Sequence, residues 1–263
     1  MSCSCDRLGF LFSFLGDTSL NLAGVFPQGT VVAFEMGPPV EMLRYNVRLN
    51  PQYNIHVHHL AVSDSFQTVY YQPVSVGGCN GCNGAISNTK TESDQYSVPG
   101  VRLVPFLQEK YSEQFIDNIC LVKIDTEGHD QRILADLPPS FRPPLLWVEW
   151  YEVMKTVPLP EGSNQDGIII EDDDFCTESS ANYFRTISGL GYEIFEPSLP
   201  LKRITGCANK YYRNDLLLIE RRFLQDFLKT YPKIRHFIEN IEYLGKGYEI
   251  NMFNDTDFLI YGK

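Results

Sequence analysis

Ionisable side chains crowd the end of an apolar segment near the middle of the chain. Residues 121–130 read Leu-Val-Lys-Ile-Asp-Thr-Glu-Gly-His-Asp. The apolar start predicts a buried strand, and in an open α/β sheet the chemistry sits at the carboxyl ends of strands. Lys123, Asp125 and Glu127 share one face of that strand because side chains alternate along it. Together with His129, these groups can bind polar ligands and transfer protons, but they can also form a purely structural ion-pair network.

A glutamate follows a second apolar segment. Residues 30–35 read Thr-Val-Val-Ala-Phe-Glu, and Pro38 and Pro39 then suit the start of a helix. A carboxylate at the end of a strand can accept hydrogen bonds from both hydroxyls of a ribose. We therefore expect Glu35 to bind a nucleoside-containing cofactor; the alternative is an exposed acid without a ligand.

Apolar segments of strand length alternate with helical patterns along most of the chain. The predicted strands of this pattern cover residues 8–14, 30–34, 55–62, 121–125, 145–150, 192–195 and 215–219. The alternation predicts an α/β fold with a Rossmann-like, doubly wound, mostly parallel sheet and helices on both faces. Because no repeat or domain boundary is evident, we predict one domain over residues 1–263. Its core covers about residues 8–221, and a C-terminal helix and edge strand follow at about 222–263.

The amino-acid composition of the chain limits the classes of partner and the cellular location that we expect. The 33 Asp and Glu residues against 22 Lys and Arg give a net charge of −11, which disfavours nucleic acid because phosphate contacts need clustered cations. No apolar run is long enough to predict a membrane span, and the stretch at residues 9–15 is better explained as a core strand than as a signal peptide. The seven scattered cysteines favour a reducing compartment, so we expect a cytoplasmic protein.

Two motifs resemble those of FkbM-type methyltransferases. Residues 34–39 (Phe-Glu-Met-Gly-Pro-Pro) are similar to the end of the family's second strand, and residues 123–128 (Lys-Ile-Asp-Thr-Glu-Gly) to its fourth-strand motif. Residues 61–64 (Ala-Val-Ser-Asp) fit the third-strand position, and residues 16–20 resemble the turn after the first strand. The resemblance covers about residues 10–150 and continues more loosely to about 220. It implies a class I methyltransferase fold that uses S-adenosylmethionine (SAM) to methylate a hydroxyl of a sugar or another small metabolite.

The resemblance also implies roles for individual residues. The candidates for cofactor binding are Gly16, Asp17, Thr18, Glu35, Ser63, Asp64 and Asp125. Glu35 would hold the ribose, and Asp64 would contact the adenine amino group. Asp17 and Thr18 would meet the cofactor from the amino end of a helix, although plain helix capping explains them equally well.

Methyl transfer to a hydroxyl needs alignment first and then a base for the departing proton. The catalytic candidates are Lys123, Asp125, Glu127, His129 and Glu149. We favour Asp125 as the acid that faces substrate or cofactor, and the choice of base stays open. Lys123 would either hold the substrate oxygen or pair with Asp125. The alternative to a catalytic role for His129 is a location at the protein surface.

The first strand departs from the family pattern. The family's acidic residue and glycine-rich turn are replaced by Phe10, Phe12, Ser13 and Phe14, and only Gly16 remains. Either the cofactor binds differently, or the chain is a catalytically weakened or inactive binding or scaffold domain. A nicotinamide dehydrogenase ranks third, because the Gly-x-Gly-x-x-Gly turn of that class is absent.

Two further groups contain potential metal ligands. Cys79 and Cys82 form a lone Cys-x-x-Cys motif in a Gly/Asn-rich stretch, residues 75–95, that we expect to be a loop or lid. His56 and His58 share one face of a predicted strand, where an edge or surface location is favoured over a metal site. We therefore predict no metal, and we expect residues 75–95 and 160–180 to define the substrate.

Overall fold

The computed structural model describes residues 7–10, 16–76, 79–87, 90, 96–126, 129–149, 185–196, 202–204 and 215–227. The strands of this part of the chain are β1 (Arg7–Phe10), β2 (Thr30–Phe34), β3 (Asn54–His58), β4 (Ala61–Val62), β5 (Thr68–Val76), β6 (Cys79–Ser87), β7 (Tyr96–Val101), β8 (Ile119–Ile124), β9 (Leu145–Val148), β10 (Tyr192–Glu196), β11 (Lys202–Ile204) and β12 (Leu216–Glu220). The helices are α1 (Asp17–Val25), α2 (Val40–Leu49), α3 (Leu103–Lys110), α4 (Glu113–Asp117) and α5 (Asp130–Asp136). Residues 185–189 and 224–227 are also helical.

The main sheet reverses its strand order in the middle. Its strands lie in the order β11-β10-β12-β9-β8-β1-β2-β3. Parallel pairing joins β3 to β2, β2 to β1, β1 to β8 and β8 to β9, whereas β12 runs antiparallel to both β9 and β10. The chain proceeds outward from β1 to β3 and later returns to the other side of β1 at β8. In sheets of this kind, ligands bind outside the carboxyl ends of the strands at the point of reversal.

Helices cover both faces of this sheet. Alternate residues of β2 point to opposite faces, so Val31 shares a hydrophobic cluster with residues of α1 and α2. Val32 belongs to the other cluster, which includes residues of α3, α4 and α5. The continuous apolar sequence of β2 is what a strand buried on both faces requires. The predicted fold class, a doubly wound and mostly parallel α/β sheet with helices on both faces, is confirmed.

The structure contains a second sheet, and two of its regions differ from the sequence prediction. The predicted strand over residues 55–62 is divided, because β3 belongs to the main sheet while β4 pairs with β7. The predicted loop at residues 75–95 is wrong for residues 75–76 and 79–87, which form an antiparallel hairpin of β5 and β6 in the sheet β4-β7-β5-β6. The Gly/Asn-rich β6 lacks the alternating pattern of a strand, and its backbone pairing with β5 places it at the edge of this sheet.

Other predicted elements are present only in part among the described residues. The predicted first strand corresponds to β1, and residues 11–14 lie outside the described part of the chain. Residues 224–227 begin the predicted C-terminal helix; its remainder, the acidic stretch at 160–180 and the predicted final strand also lie outside that part. No helix among the described residues has the length and apolar character that a membrane crossing needs.

Gly16 makes the turn that brings α1 onto the sheet beside α2. It is buried, has a φ of 92°, and its carbonyl oxygen accepts a hydrogen bond of 2.8 Å from the backbone N–H of Leu20. A Cβ atom added there would lie 2.8 Å from Cδ1 of Leu43 in α2. Both the left-handed backbone and the close approach of α2 therefore require glycine.

We predict that Gly16→Ala lowers the free energy of unfolding by about 2 kcal/mol, because alanine strains a left-handed backbone and its methyl group displaces Leu43. The matched control is Gly189→Ala, since an added Cβ at Gly189 meets no atom within 4 Å. This control should change the free energy by less than about 1 kcal/mol. Urea denaturation of both variants measures the difference, and equal effects would contradict the account of the turn.

Candidate functional site

Acidic residues from four strands flank the same edge of the main sheet. Glu35, Asp125 and Glu149 directly follow the parallel strands β2, β8 and β9. Because β12 runs antiparallel to β9, Asp215, which precedes β12, lies at that edge as well. The edge includes the point between β1 and β8 where the strand order reverses. Sequence reasoning missed Asp215 as a site residue, since nothing in the sequence indicates that its strand is antiparallel.

Glu35 is buried at the end of β2, with only 7% of its surface exposed. Its Oε1 accepts a hydrogen bond of 2.6 Å from the backbone N–H of Gly37, and its own N–H donates to the carbonyl of His58 over 3.0 Å. Burial raises the pKa of Glu35 to about 7, although hydrogen bonds from the backbone N–H groups of Gly37 and Met36 lower it. The alternative of an exposed acid is therefore wrong.

Ser63, Asp64 and His129 meet although they are far apart in sequence. The Ser63 Oγ lies 3.2 Å from Nε2 of His129 and donates a hydrogen bond of 3.2 Å to Oδ1 of Asp64. Burial lowers the pKa of His129, as does the positive charge of Arg132, whereas Asp64 acts in the opposite direction. His129 is therefore neutral at pH 7 and buried, so the alternative of a surface histidine is wrong. The contact places His129 beside Ser63 and Asp64, two of the candidates for cofactor binding.

Asp130 fixes the chain at the end of the motif. Its carboxylate accepts hydrogen bonds from the backbone N–H of Thr126, over 3.1 Å, and from the Thr126 hydroxyl, over 2.8 Å. Burial raises the pKa of Asp130, and these hydrogen bonds offset part of that effect. The link holds the exit of β8 against the start of α5. Glu127 and Gly128 lie between these residues and outside the described part of the chain.

Lys123 pairs with Asp125 through a hydrogen bond from Nζ to Oδ2. Burial lowers the pKa of Lys123, but the nearby carboxyl groups of Asp125, Asp215 and Glu149 outweigh that effect and raise it. Burial raises the pKa of Asp125, but the charge of Lys123 and the hydrogen bonds with Glu149 and Lys123 outweigh this effect and hold the pKa below its ordinary value. Lys123 is therefore cationic and Asp125 ionised at neutral pH, which supports ion pairing as the role of Lys123 toward Asp125.

Gly16, Asp17 and Thr18 form the first turn of α1. Gly16 is the N-cap residue of α1, so Asp17 and Thr18 are its first two helical residues. The first N–H groups of a helix lack partners within it and point outward, where they can meet a ligand. Phe10 ends β1 in register with Lys123. Phe12, Ser13 and Phe14, on which the altered first turn rests, lie outside the described residues.

His56 and His58 converge on Tyr111 at the outer edge of the main sheet. His56 Nδ1 lies 3.1 Å and His58 Nε2 lies 2.9 Å from the Tyr111 hydroxyl. Burial lowers the pKa of His58, with smaller effects from His56 and Lys110 in the same direction. The three groups satisfy one another, in the edge location that the sequence favoured. Within the described residues, no group of three or more His, Cys, Asp or Glu side chains is arranged to hold a metal ion.

We predict that Glu35→Gln stabilises the protein without ligand in a pH-dependent way. The folded-state pKa is raised from 4.5 to about 7, so ionisation of Glu35 opposes folding by up to about 3 kcal/mol above pH 7. The stability that wild type has below pH about 4.5 is lost progressively as the pH rises through 7. Urea denaturation should show the variant more stable at pH 8 and equal to wild type at pH 4.5. A constant difference across this range would contradict the burial effect.

Comparisons with known proteins agree with the motifs at this edge. The model of the methyltransferase FkbM domain matches residues 15–194. Among solved structures, the chain is similar to the precorrin-6y C5,15-methyltransferase of Geobacter metallireducens, with 9% identity, 81% of this chain and 79% of that chain covered, and a TM-score of 0.37. No curated protein sequence matches the chain. Since the family match covers more than half of the chain and includes Gly16, Glu35, Asp64 and Asp125, the chain belongs to the FkbM methyltransferase domain family.

Proposed function

We propose that this methyltransferase uses SAM and transfers the methyl group to a hydroxyl of a sugar or another small metabolite. The observation that carries the proposal is the buried carboxyl of Glu35, which follows β2 beside the point where the strand order reverses. Burial raises the pKa of Glu35 to about 7, its donors among the described residues are backbone N–H groups, and a ribose supplies two further hydroxyl donors. The residues present therefore fit an adenosyl group.

Three parts of the edge would hold the cofactor. Glu35 would accept both ribose hydroxyls, and Asp64, whose side chain is 38% exposed, would accept a hydrogen bond from the adenine amino group. The neutral His129 holds Ser63 and so fixes the segment that carries Asp64. At the start of α1, Gly16 permits close approach of the backbone, and the N–H groups of Asp17 and Thr18 would face the methionine part.

The bound cofactor supplies an activated methyl group on a positively charged sulfur. The chain's own contribution is to align the acceptor oxygen with that methyl group and to exclude water. Asp125, held ionised by Lys123, faces the reaction from the strand next to the point of reversal. The hairpin of β5 and β6 and the stretch at residues 160–180 are the proposed substrate-defining elements.

The scattered cysteines and acidic composition support a cytoplasmic location.

We predict that the purified protein binds S-adenosylhomocysteine (SAH), the demethylated product, with a dissociation constant in the micromolar range. Glu35→Ala should weaken binding about 100-fold or more, because two charge-assisted hydrogen bonds to the ribose are lost. Affinity in wild type should also increase between pH 6 and pH 8 as Glu35 ionises, and Glu35→Gln should abolish this dependence. Isothermal titration calorimetry measures all three proteins.

The matched control for this experiment is Glu41→Ala, which removes an exposed glutamate six positions further along the chain. It should bind SAH as wild type does. Failure of the folded wild-type protein to bind either SAM or SAH would refute the proposal and favour a binding or scaffold domain that has kept the methyltransferase fold.

A further inference from the structure

Three carboxyl groups lie in one row across adjacent strands. Ile124 of β8 pairs with Val148 of β9, and Val148 pairs with Leu216 of β12. The residues one step beyond this register are Asp125, Glu149 and Asp215. The backbone N–H of Glu149 donates a hydrogen bond of 3.0 Å to the carbonyl of Ile124, which continues the pairing up to Asp125. Neighbouring strands are about 4.8 Å apart, so adjacent carboxyl groups of the row can touch.

Asp125 and Glu149 are neighbours in this row, and a hydrogen bond with Glu149 is one of the interactions that lower the pKa of Asp125. Carboxylates only accept hydrogen bonds when ionised, so this contact requires a proton on one of the two groups. Lys123 donates its hydrogen bond to Asp125 and so favours the negative charge on that side of the pair. Lys123 and Asp215 are the charged groups beside this pair.

We propose that Asp125 and Glu149 act as one proton-sharing pair that removes the proton of an uncharged hydroxyl acceptor. This inference rests on the methyltransferase function proposed above. The acceptor oxygen forms a bond to the methyl carbon while the bond between that carbon and the donor sulfur breaks, and its electrons pass to the sulfur. The hydroxyl proton passes to the ionised carboxylate of the pair, so the charge of the donor is neutralised and the pair gains one proton.

The other charged groups of the edge are less suited to this role. The Nε2 atom of His129 already contacts the side chains of Ser63 and Asp64. Lys123 is cationic and cannot accept a proton; it is a positioning residue that holds Asp125 ionised. Asp215 lies before β12, which is two strands away from β8, whereas Asp125 ends the strand next to the point of reversal. A base at Asp125 is thus closest to the place where the donor would bind.

The charges also define the class of acceptor. The pair and Asp215 provide more negative than positive charge around Lys123, and an anionic acceptor would be repelled. Two probes on the same sugar ring separate the possibilities, namely methyl glucoside, which is neutral, and glucuronate, which is anionic. SAH release should be at least about tenfold higher with methyl glucoside than with glucuronate. Equal or faster release with glucuronate would overturn the assignment, as would the absence of release from methyl glucoside by a protein that binds SAH.

The sharing of one proton by Asp125 and Glu149 can be tested in the protein without a bound acceptor substrate. Carbon-13 NMR of the carboxyl groups in wild type should show Asp125 and Glu149 titrating together in two steps that are more than about one pH unit apart. In Glu149→Gln, Asp125 should titrate in a single step. Independent single-step titration of both groups in wild type, with each ionised at pH 7, would overturn the proposal. This result does not depend on SAM binding.

Kinetics then test the role of the pair. Asp125→Asn and Glu149→Gln should each lower kcat about 10²–10⁴-fold, and the double variant should lose no more than the worse single variant because the two act as a unit. Glu149→Gln should still bind SAH as wild type does, and the surface control Glu41→Gln should retain full kcat. If the kcat of Glu149→Gln lies within threefold of that of wild type, the proton-sharing pair is refuted but the proposed methyltransferase function is not. If every protein fails to bind SAH, the proposed methyltransferase function itself is refuted.

Discussion

Parallel pairing of β8 with both β1 and β9 is the constraint on which the site depends. It brings the carboxyl ends of the three strands to one edge, so Asp125 and Glu149, which follow β8 and β9, lie there side by side. A shift of one residue in β8 would exchange its faces, moving Lys123 into the apolar cluster and Ile124 toward the site. The apolar residues Val122 and Ile124 are buried on one face and prevent such a shift. The same burial that stabilises the sheet therefore fixes the positions of Lys123 and Asp125.

Buried charges at this edge are stabilised in two different ways. Lys123 and Asp125 neutralise each other, and each would be costly to bury alone. Among the described residues, Glu35 has only backbone N–H donors to offset its burial, and its pKa rises to about 7. The first arrangement keeps its charge whether or not a ligand is present. The second gains its missing hydrogen-bond donors when a polyhydroxyl ligand binds, so ligand binding and the ionisation of Glu35 are coupled.

Much of the central sheet could be predicted because its strands are apolar throughout. β2 has the predicted bounds, and the positions of Glu35 and Asp125 follow from where β2 and β8 end. The contact of Ser63 with His129 could not be predicted, because it depends on how the segment between β4 and β5 meets the start of α5. Asp215 escaped notice because sequence patterns do not give strand direction. Strand β6 was missed because backbone pairing, and not apolar alternation, defines it.

The most direct test of the account is a crystal structure of the complex with SAH. Both ribose hydroxyls should lie within about 3.2 Å of the Glu35 carboxylate, with the adenine beside Asp64 and the sulfur on the side of Asp125. An adenosyl group bound at another edge of the sheet, or one whose ribose makes no contact with Glu35, would contradict it.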